Sequence, residues 1–221
     1  MATALTFPLS LAQFFAMLPI APITLDLEEN QYHSETGGGE ILTADAGPRL
    51  WTGTVQLNRR SHAQARLFEA RARMLRQAGR SFFVTDYRNA YPSGDPDGSI
   101  LGAASPTISA IDGDSRRLSL QGLPAGYTLT AGDQLSFAYG SNPTRYALHD
   151  VVSDTEAADG SGNLSLLELS PFIRPGAVAG TAVTLIKPFC KAVMVPGSFR
   201  PSTGARVVSE AMQFTFKQTL R

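Results

Sequence analysis

From Ile100 to Pro188 the chain is a succession of short alternating segments broken by turn clusters: "PTISAIDGDSRRLSLQGLP", "YTLTAGDQLSFAYG", "TRYALHDVVSDTEAADGSGNLSLLELSP" and "TAVTLIKP". Apolar and polar residues exchange places at every second position, which is the period of a half-buried strand. Gly, Asp, Asn, Ser and Pro collect between the segments, where a chain must reverse. This rhythm predicts an antiparallel β-barrel or sandwich over residues 99–188. With 43% hydrophobic and 17% charged residues, the 221-residue chain carries enough apolar material for a sizeable core.

The flanking sequence reads differently. "PLSLAQFFAML" predicts a short helix capped by Ser10, with Leu11, Phe14, Phe15 and Leu18 on one side and Pro19 ending it. "ITLDLEENQYHS" reads as one strand, Ile23, Leu25 and Leu27 inward, Thr24, Asp26 and Glu28 outward. "ETGGGEILTADAGP" reads as a flexible connection containing Gly37–Gly39; it lacks the Lys-Ser/Thr of a phosphate loop and leads into no helix. In "RLWTGTVQLN" a second strand sets Trp51, Gly53, Val55 and Leu57 against Leu50, Thr52, Thr54 and Gln56.

The one long helix is expected over residues 61–78, capped by Ser61 and ended by Gly79 in a left-handed turn. Its apolar stripe is expected to contain Leu67, Phe68, Met74 and Leu75 with Ala63, Ala70 and Ala78. Arg66, Glu69, Arg73 and Arg76 fall off that stripe, and Glu69 precedes Arg73 by one helical turn. "SFFVTDY" follows as a strand, and "RNAYPSGDPDGS" is a boundary. Two more strands close the chain, the last with Met212, Phe214 and Phe216 on one face. The strands before Tyr91 are too few to close a core alone. Residues 1–98 plus 189–221 are therefore expected to form one domain, with 99–188 inserted into it.

Formal net charge is zero, so no global field draws the chain to nucleic acid or an anionic membrane. Cys190 is the single cysteine and has no internal disulfide partner. The apolar run Leu5–Leu25 has no preceding basic residue, and Pro8, Pro19 and Pro22 interrupt it, so it is read as part of the fold. Charge falls in blocks: acids without Lys or Arg to Pro48, then mainly bases to Arg88, acids to Ser170, and bases again to the end. Self-association between unlike faces would use such blocks.

The residues that carry chemistry elsewhere are scattered here. His33, His62 and His149 form no metal-spaced pair, and there is no second cysteine for zinc. Cys190 lacks the glycines of a nucleophile elbow and reads as a buried small hydrophobe. "DTEAADGSGN" (Asp154–Asn163) lacks calcium-loop spacing, with Ala158 where an oxygen ligand is needed and Asp159 where glycine belongs. Asp112 and Asp114 read as turn residues. The arginine-rich helix is flanked by strands and holds Glu69 among its arginines, unlike a DNA-reading helix. No catalytic, cofactor-binding or metal residue is assigned, and no nucleic-acid recognition or membrane insertion is expected.

The order of segments does resemble a family. "PRLWTGTVQL", an alanine- and arginine-rich helix, "GRSFFVTDYRNAYP", the inserted "LPAGYTLTAGDQLSF" and "LELSPFIRPGAVAGTAVTLIKP", and a closing "MQFTFKQTL" resemble the distal tail proteins of long-tailed bacteriophages, prophages and gene-transfer particles. The resemblance implies a mainly β protein: a belt-like β-sandwich domain with one amphipathic helix, interrupted by an inserted OB-like antiparallel barrel. It implies a virion structural protein without catalytic residues. Copies would form a ring, typically a hexamer, at the distal end of the tail tube, joining tube protein to hub or fibre proteins of the tail tip. The glycine-rich "SETGGGEILTADAGP" would then be an arm or loop that orders against a neighbour, the alternative being a mobile hairpin tip, and Arg73 and Arg76 would face acids of an adjacent subunit, in Asp26–Glu29 or Asp95–Asp97. Two other readings are a carbohydrate-binding adhesin, stacking sugars on Tyr127, Tyr139 and Tyr146, and a wall-degrading hydrolase.

Overall fold

The structure is a computed structural model and describes residues 5–204 and 206–221. In chain order the elements are β1 (Ile20–Leu27), β2 (Gln31–Glu35), β3 (Ile41–Asp45), β4 (Trp51–Leu57), β5 (Arg60–Ser61), α1 (His62–Leu75) and β6 (Phe82–Thr85). Then come β7 (Thr107–Ile111), β8 (Arg117–Gln121), β9 (Thr128–Thr130), β10 (Gln134–Tyr139), β11 (Arg145–Val151), β12 (Thr155–Ala157) and β13 (Leu164–Ser170). The last are β14 (Val183–Thr184), β15 (Phe189–Met194), β16 (Thr203–Gly204), β17 (Val208–Glu210) and β18 (Gln213–Gln218). The fold is mainly β, with sheets, one α-helix and a nearly closed barrel-like sheet, the class expected from the sequence. Two compact units divide the chain: residues up to Met17, Gly79–Ala192 and Thr219–Arg221 in the first, Leu18–Ala78 and Val193–Gln218 in the second.

In the first unit six strands run in the order β14-β10-β11-β13-β8-β7. The two edges meet. Ile108 N donates to Thr181 O (2.9 Å), Gly180 N to Ile108 O (2.7 Å), and Val183 N to Pro106 O (2.9 Å). Closure removes the edges that an open sheet would expose. The inward positions are filled by Ile108, Leu118, Leu120, Leu129, Leu135, Phe137, Leu164, Leu167 and their neighbours, all buried. β6 pairs with β15, and Leu9 bridges to Phe82. Phe14 meets the Phe82 ring edge-on at 5.1 Å. The segment expected as a helix from Pro8 is a turn leading into a 3-10 helix, Phe15–Met17. Ser10 does cap it: Ser10 N donates to Gln13 Oε1 (3.0 Å) and Gln13 N to Ser10 Oγ (3.2 Å), a reciprocal capping box.

In the second unit β4 is the centre of a sheet, paired with β1 on one side and β18 on the other, both antiparallel. Its pattern is that of the expected strand, with Trp51, Gly53, Val55 and Leu57 buried. β16, β17 and β5 form a small sheet beside α1. The strand expected from Ile23 through Ser34 is two strands, because Asn30 adopts a positive φ of 31° and turns the chain between β1 and β2.

Gly53 explains the Trp-x-Gly of β4. A Cβ there would lie 2.6 Å from Phe216 Cζ and would overlap the Thr24 carbonyl oxygen. The Phe216 ring of β18 therefore covers the glycine, and the neighbouring backbone approaches closely because no side chain intervenes. Gly53→Ala is expected to destabilise the protein by about 1–3 kcal/mol through overpacking. Gly37→Ala, at a position with open space around it, is expected to leave Tm unchanged. Calorimetry showing equal Tm for both variants contradicts this account of β4.

Candidate functional site

The stretch expected as a flexible connection is half of a β-hairpin. β2 and β3 pair in register from Gln31↔Asp45 to Glu35↔Ile41. The tip closes through Gly39 N to Thr36 O (2.9 Å), and Thr36 Oγ1 accepts from Glu40 N (3.1 Å). Its base is pinned by Ala46 N to Asn30 O (2.9 Å) and by Asn30 Nδ2 to Pro48 O (3.2 Å). All ten strand residues are exposed, including Tyr32 (73%), Ile41 (62%) and Leu42 (54%). Each strand spans roughly 17 Å. Opposed residues share a face, so Tyr32, Ala44 and Leu42 lie on one side with Glu40, while Glu35, Ile41 and Asp45 lie on the other. Glu35, Glu40 and Asp45 are its charges; it holds no Lys or Arg.

α1 is the second exposed feature. Its buried stripe is Ala65, Phe68, Ala72 and Leu75: Phe68 and Leu75 are buried as expected, and Ala65 and Ala72 stand with them in place of Leu67, Ala63 and Ala70. Leu67 is 42% exposed, and Ala63 and Ala70 are exposed with it. The helix carries two overlapping apolar stripes, and packing turns inward the one centred on Phe68 and Ala72. It also ends at Leu75, where Gln77 N donates back to Met74 O (3.2 Å) in a tighter turn, before Gly79 takes its positive φ of 77°. Ser61 sits at the cap position but makes no side-chain capping bond.

The outer arginines are not equivalent. Arg73 bonds Glu69 at 2.6 Å, and the Arg76 guanidinium lies 5.9 Å from the centre of the Phe199 ring. Glu69 also accepts from Ser202 N (3.1 Å) and Ser202 Oγ (2.6 Å). Burial works to raise its carboxyl, but the Ser202 bonds and Arg73 hold it below the usual range. Arg66 is exposed and has no ion-pair partner among the described residues. Of the acids expected to meet these arginines from a neighbour, Glu28 pairs with Lys217 in its own chain. Asp95 is completely buried and unavailable.

Asp95 and Asp133 are structural carboxylates that periodicity did not reveal. Asp95 accepts from Ile100 N (3.0 Å), Leu101 N (2.9 Å) and Tyr127 Oη (3.3 Å). Asp133 accepts from Ser93 N (2.8 Å), Ser93 Oγ (2.7 Å) and Thr130 N (2.8 Å). Together they fasten the 93–101 loop to the barrel. Burial first, then these two negative charges, push the Tyr127 hydroxyl far up. Their sequence signal is an aspartate inside a Gly/Pro turn cluster, "SGDPDGS" and "AGDQL", which looks the same whether the side chain points out or in.

The candidate catalytic and metal residues do not converge. His33 lies on the arm, His62 opens α1, and His149 lies inside the barrel. No group of three or more His, Cys, Asp or Glu is placed to hold a metal among the described residues. Cys190 is completely buried, and burial pushes its thiol up to about 12, with Arg174 opposing. Asp159 caps its own loop, accepting from Ser161 N and Asn163 N at 2.8 Å each. Asp112 and Asp114 accept from Gly113 N (2.8 Å) and Arg116 N (2.9 Å), as turn residues do. Tyr127 and Tyr139 are buried, so neither is open to a sugar ring; Tyr146 is half-buried and meets Phe83 edge-on at 4.8 Å.

One serine–histidine contact was not foreseen. His62 Nδ1 lies 2.8 Å from Ser209 Oγ. The residues stand 147 apart in sequence, so only the pairing of β5 with β17 brings them together. No carboxylate orients the imidazole's other nitrogen among the described residues. The adjoining depression, lined by Leu57, Ala65, Phe68, Ser202 and Met212, is far too small to enclose a ligand. The contact ties α1 to β17.

Set against known proteins, the sequence matches no family model and no curated protein. No helix among the described residues is long and apolar enough to cross a membrane.

His149 is the buried group with a consequence in solution. Its Nδ1 bonds Pro171 O at 2.7 Å, its ring stacks on Phe137 at 5.3 Å, and Nε2 has no hydrogen-bond partner among the described residues. Burial lowers its pKa to about 4 from 6.5; the Pro171 bond opposes this and the Arg174 charge adds to it. The folded imidazole is therefore neutral where the unfolded one binds a proton. Its contribution is complete above pH 6.5 and is lost as pH falls toward 4. At about 1.4 kcal/mol per pKa unit, the loss is on the order of 3 kcal/mol. In His149→Leu, the decline of stability between pH 6.5 and 4 is expected to flatten. Denaturant titrations giving parallel slopes for the two proteins count against this.

Proposed function

We propose that the chain is a structural subunit that assembles with copies of itself into a ring, typically a hexamer, at the distal end of a phage-type tail tube. In this role its OB-like barrel module and sandwich module join tube protein to the hub or fibre proteins of the tail tip. The single observation that carries the reading is the β2–β3 arm. A two-stranded ribbon with every strand residue exposed is marginal in water, and Tyr32, Ile41 and Leu42 are left largely uncovered by the described residues. Such a ribbon gains stability when a partner buries it. The segment order that resembles distal tail proteins supplies the kind of assembly. Arms of this sort join subunits head to tail, a heterologous contact that closes when the rotation returns on itself.

Replacing residues 32–44 by a short glycine turn removes exposed residues and the half-buried Thr36 of the tip. It is expected to leave Tm near that of the parent while abolishing assembly in native mass spectrometry and incorporation into tails seen by electron microscopy. Particles from which the intact chain is absent sink the proposal.

A further inference from the structure

We propose that the outer face of α1 is the seat for the β2–β3 arm of a second copy of this chain. The inference rests on the self-assembly reading and names its contact. Both surfaces belong to the same unit and both are exposed there, so neither covers the other within one chain. Their charges are complementary. The arm carries Glu35, Glu40 and Asp45 with no Lys or Arg; α1 and its C-terminal residue carry Arg66, Arg71, Arg73 and Arg76 against Glu69 alone. Glu69 is already engaged by Ser202 and Arg73, which leaves Arg66 to be matched from outside. Complementary potentials of this kind steer and register a partner.

The shapes agree as well. Ala63, Leu67 and Ala70 recur at i, i+4 and i+7 on the exposed side of the helix. The two alanines leave space beside Leu67 for a larger side chain. On the arm, Tyr32 and Leu42 share one face, and Glu40 stands two residues from Leu42 on that face. The helix stretch is roughly 10 Å long at 1.5 Å per residue, shorter than the ribbon of roughly 17 Å. With Leu42 against Leu67, Glu40 reaches Arg66, and the apolar surface of both elements leaves water.

The test is a covalent trap in the full chain. Leu42→Cys and Leu67→Cys are combined, Cys190 remaining silent because it is buried. Mild oxidation is expected to give a ladder of disulfide-linked multimers on a non-reducing gel, whereas Leu42→Cys combined with Val178→Cys, another exposed position, gives none. Adding Arg66→Glu is expected to slow the ladder by about threefold or more, and Glu40→Arg in the same chain to restore it. Circular dichroism checks that each variant is folded. A native oligomer that gives no 42–67 ladder, or equal ladders from both cysteine pairs, overturns the seat and leaves the ring reading standing. A chain that stays monomeric and unlinked at every concentration overturns both.

Discussion

The pairing of β18 with β4, and the Phe216 ring lying over Gly53, is the contact on which the second unit depends. It joins residues more than 160 positions apart, as in the bond from Thr52 Oγ1 to Phe216 O. A long loop closed by one strand pair costs conformational entropy that must be offset by burial and backbone bonding. β18 supplies both, with Phe214 and Phe216 buried on one face and the β4 hydrogen bonds along its edge. The glycine lets the two strands and β1 approach closely enough for that. The arm rises between β1 and β4 and takes its position from this sheet, while α1 lies against β5 and β17 of the smaller one.

Buried polar groups specify the first unit. Asp95 and Asp133 each accept three hydrogen bonds, mostly from backbone amides, so the carboxylates satisfy donors that a closed loop would otherwise bury unpaired. His149 is the less complete case: one nitrogen is bonded, the other is not, and the ring is held neutral by its surroundings. Neither arrangement has the convergent acid, base and nucleophile of an active site. Their role lies in fixing loops and strands of the barrel.

The exposed features are the ones the proposed assembly would use. Apolar side chains on the arm, a second apolar stripe on α1 and an uncompensated Arg66 all sit at the surface of one unit, and all are features that association would resolve. Part of the charge blocking seen along the chain is used internally, through Glu28 with Lys217 and Arg59 with Glu210. Exposed pairs of this kind contribute little to stability.

Strand period, turn positions and the place of the single helix were determined by the sequence alone, because alternation and turn chemistry act over a few residues. The Trp51–Leu57 and Met212–Phe216 patterns show this, and so does the burial of Cys190 within a strand. The choice between the two stripes of α1 was not legible: Leu67 and Phe68 both satisfy a 3.6-residue period, and only the sheet beneath decides which is covered. The same holds for "ETGGGEILTADAGP". Its glycines signal a turn, but whether Ile41–Asp45 extends as a strand depends on β2 lying opposite. The inward aim of Asp95 and the meeting of His62 with Ser209 likewise belong to tertiary structure, since distance across the fold, not spacing along the chain, sets which groups meet.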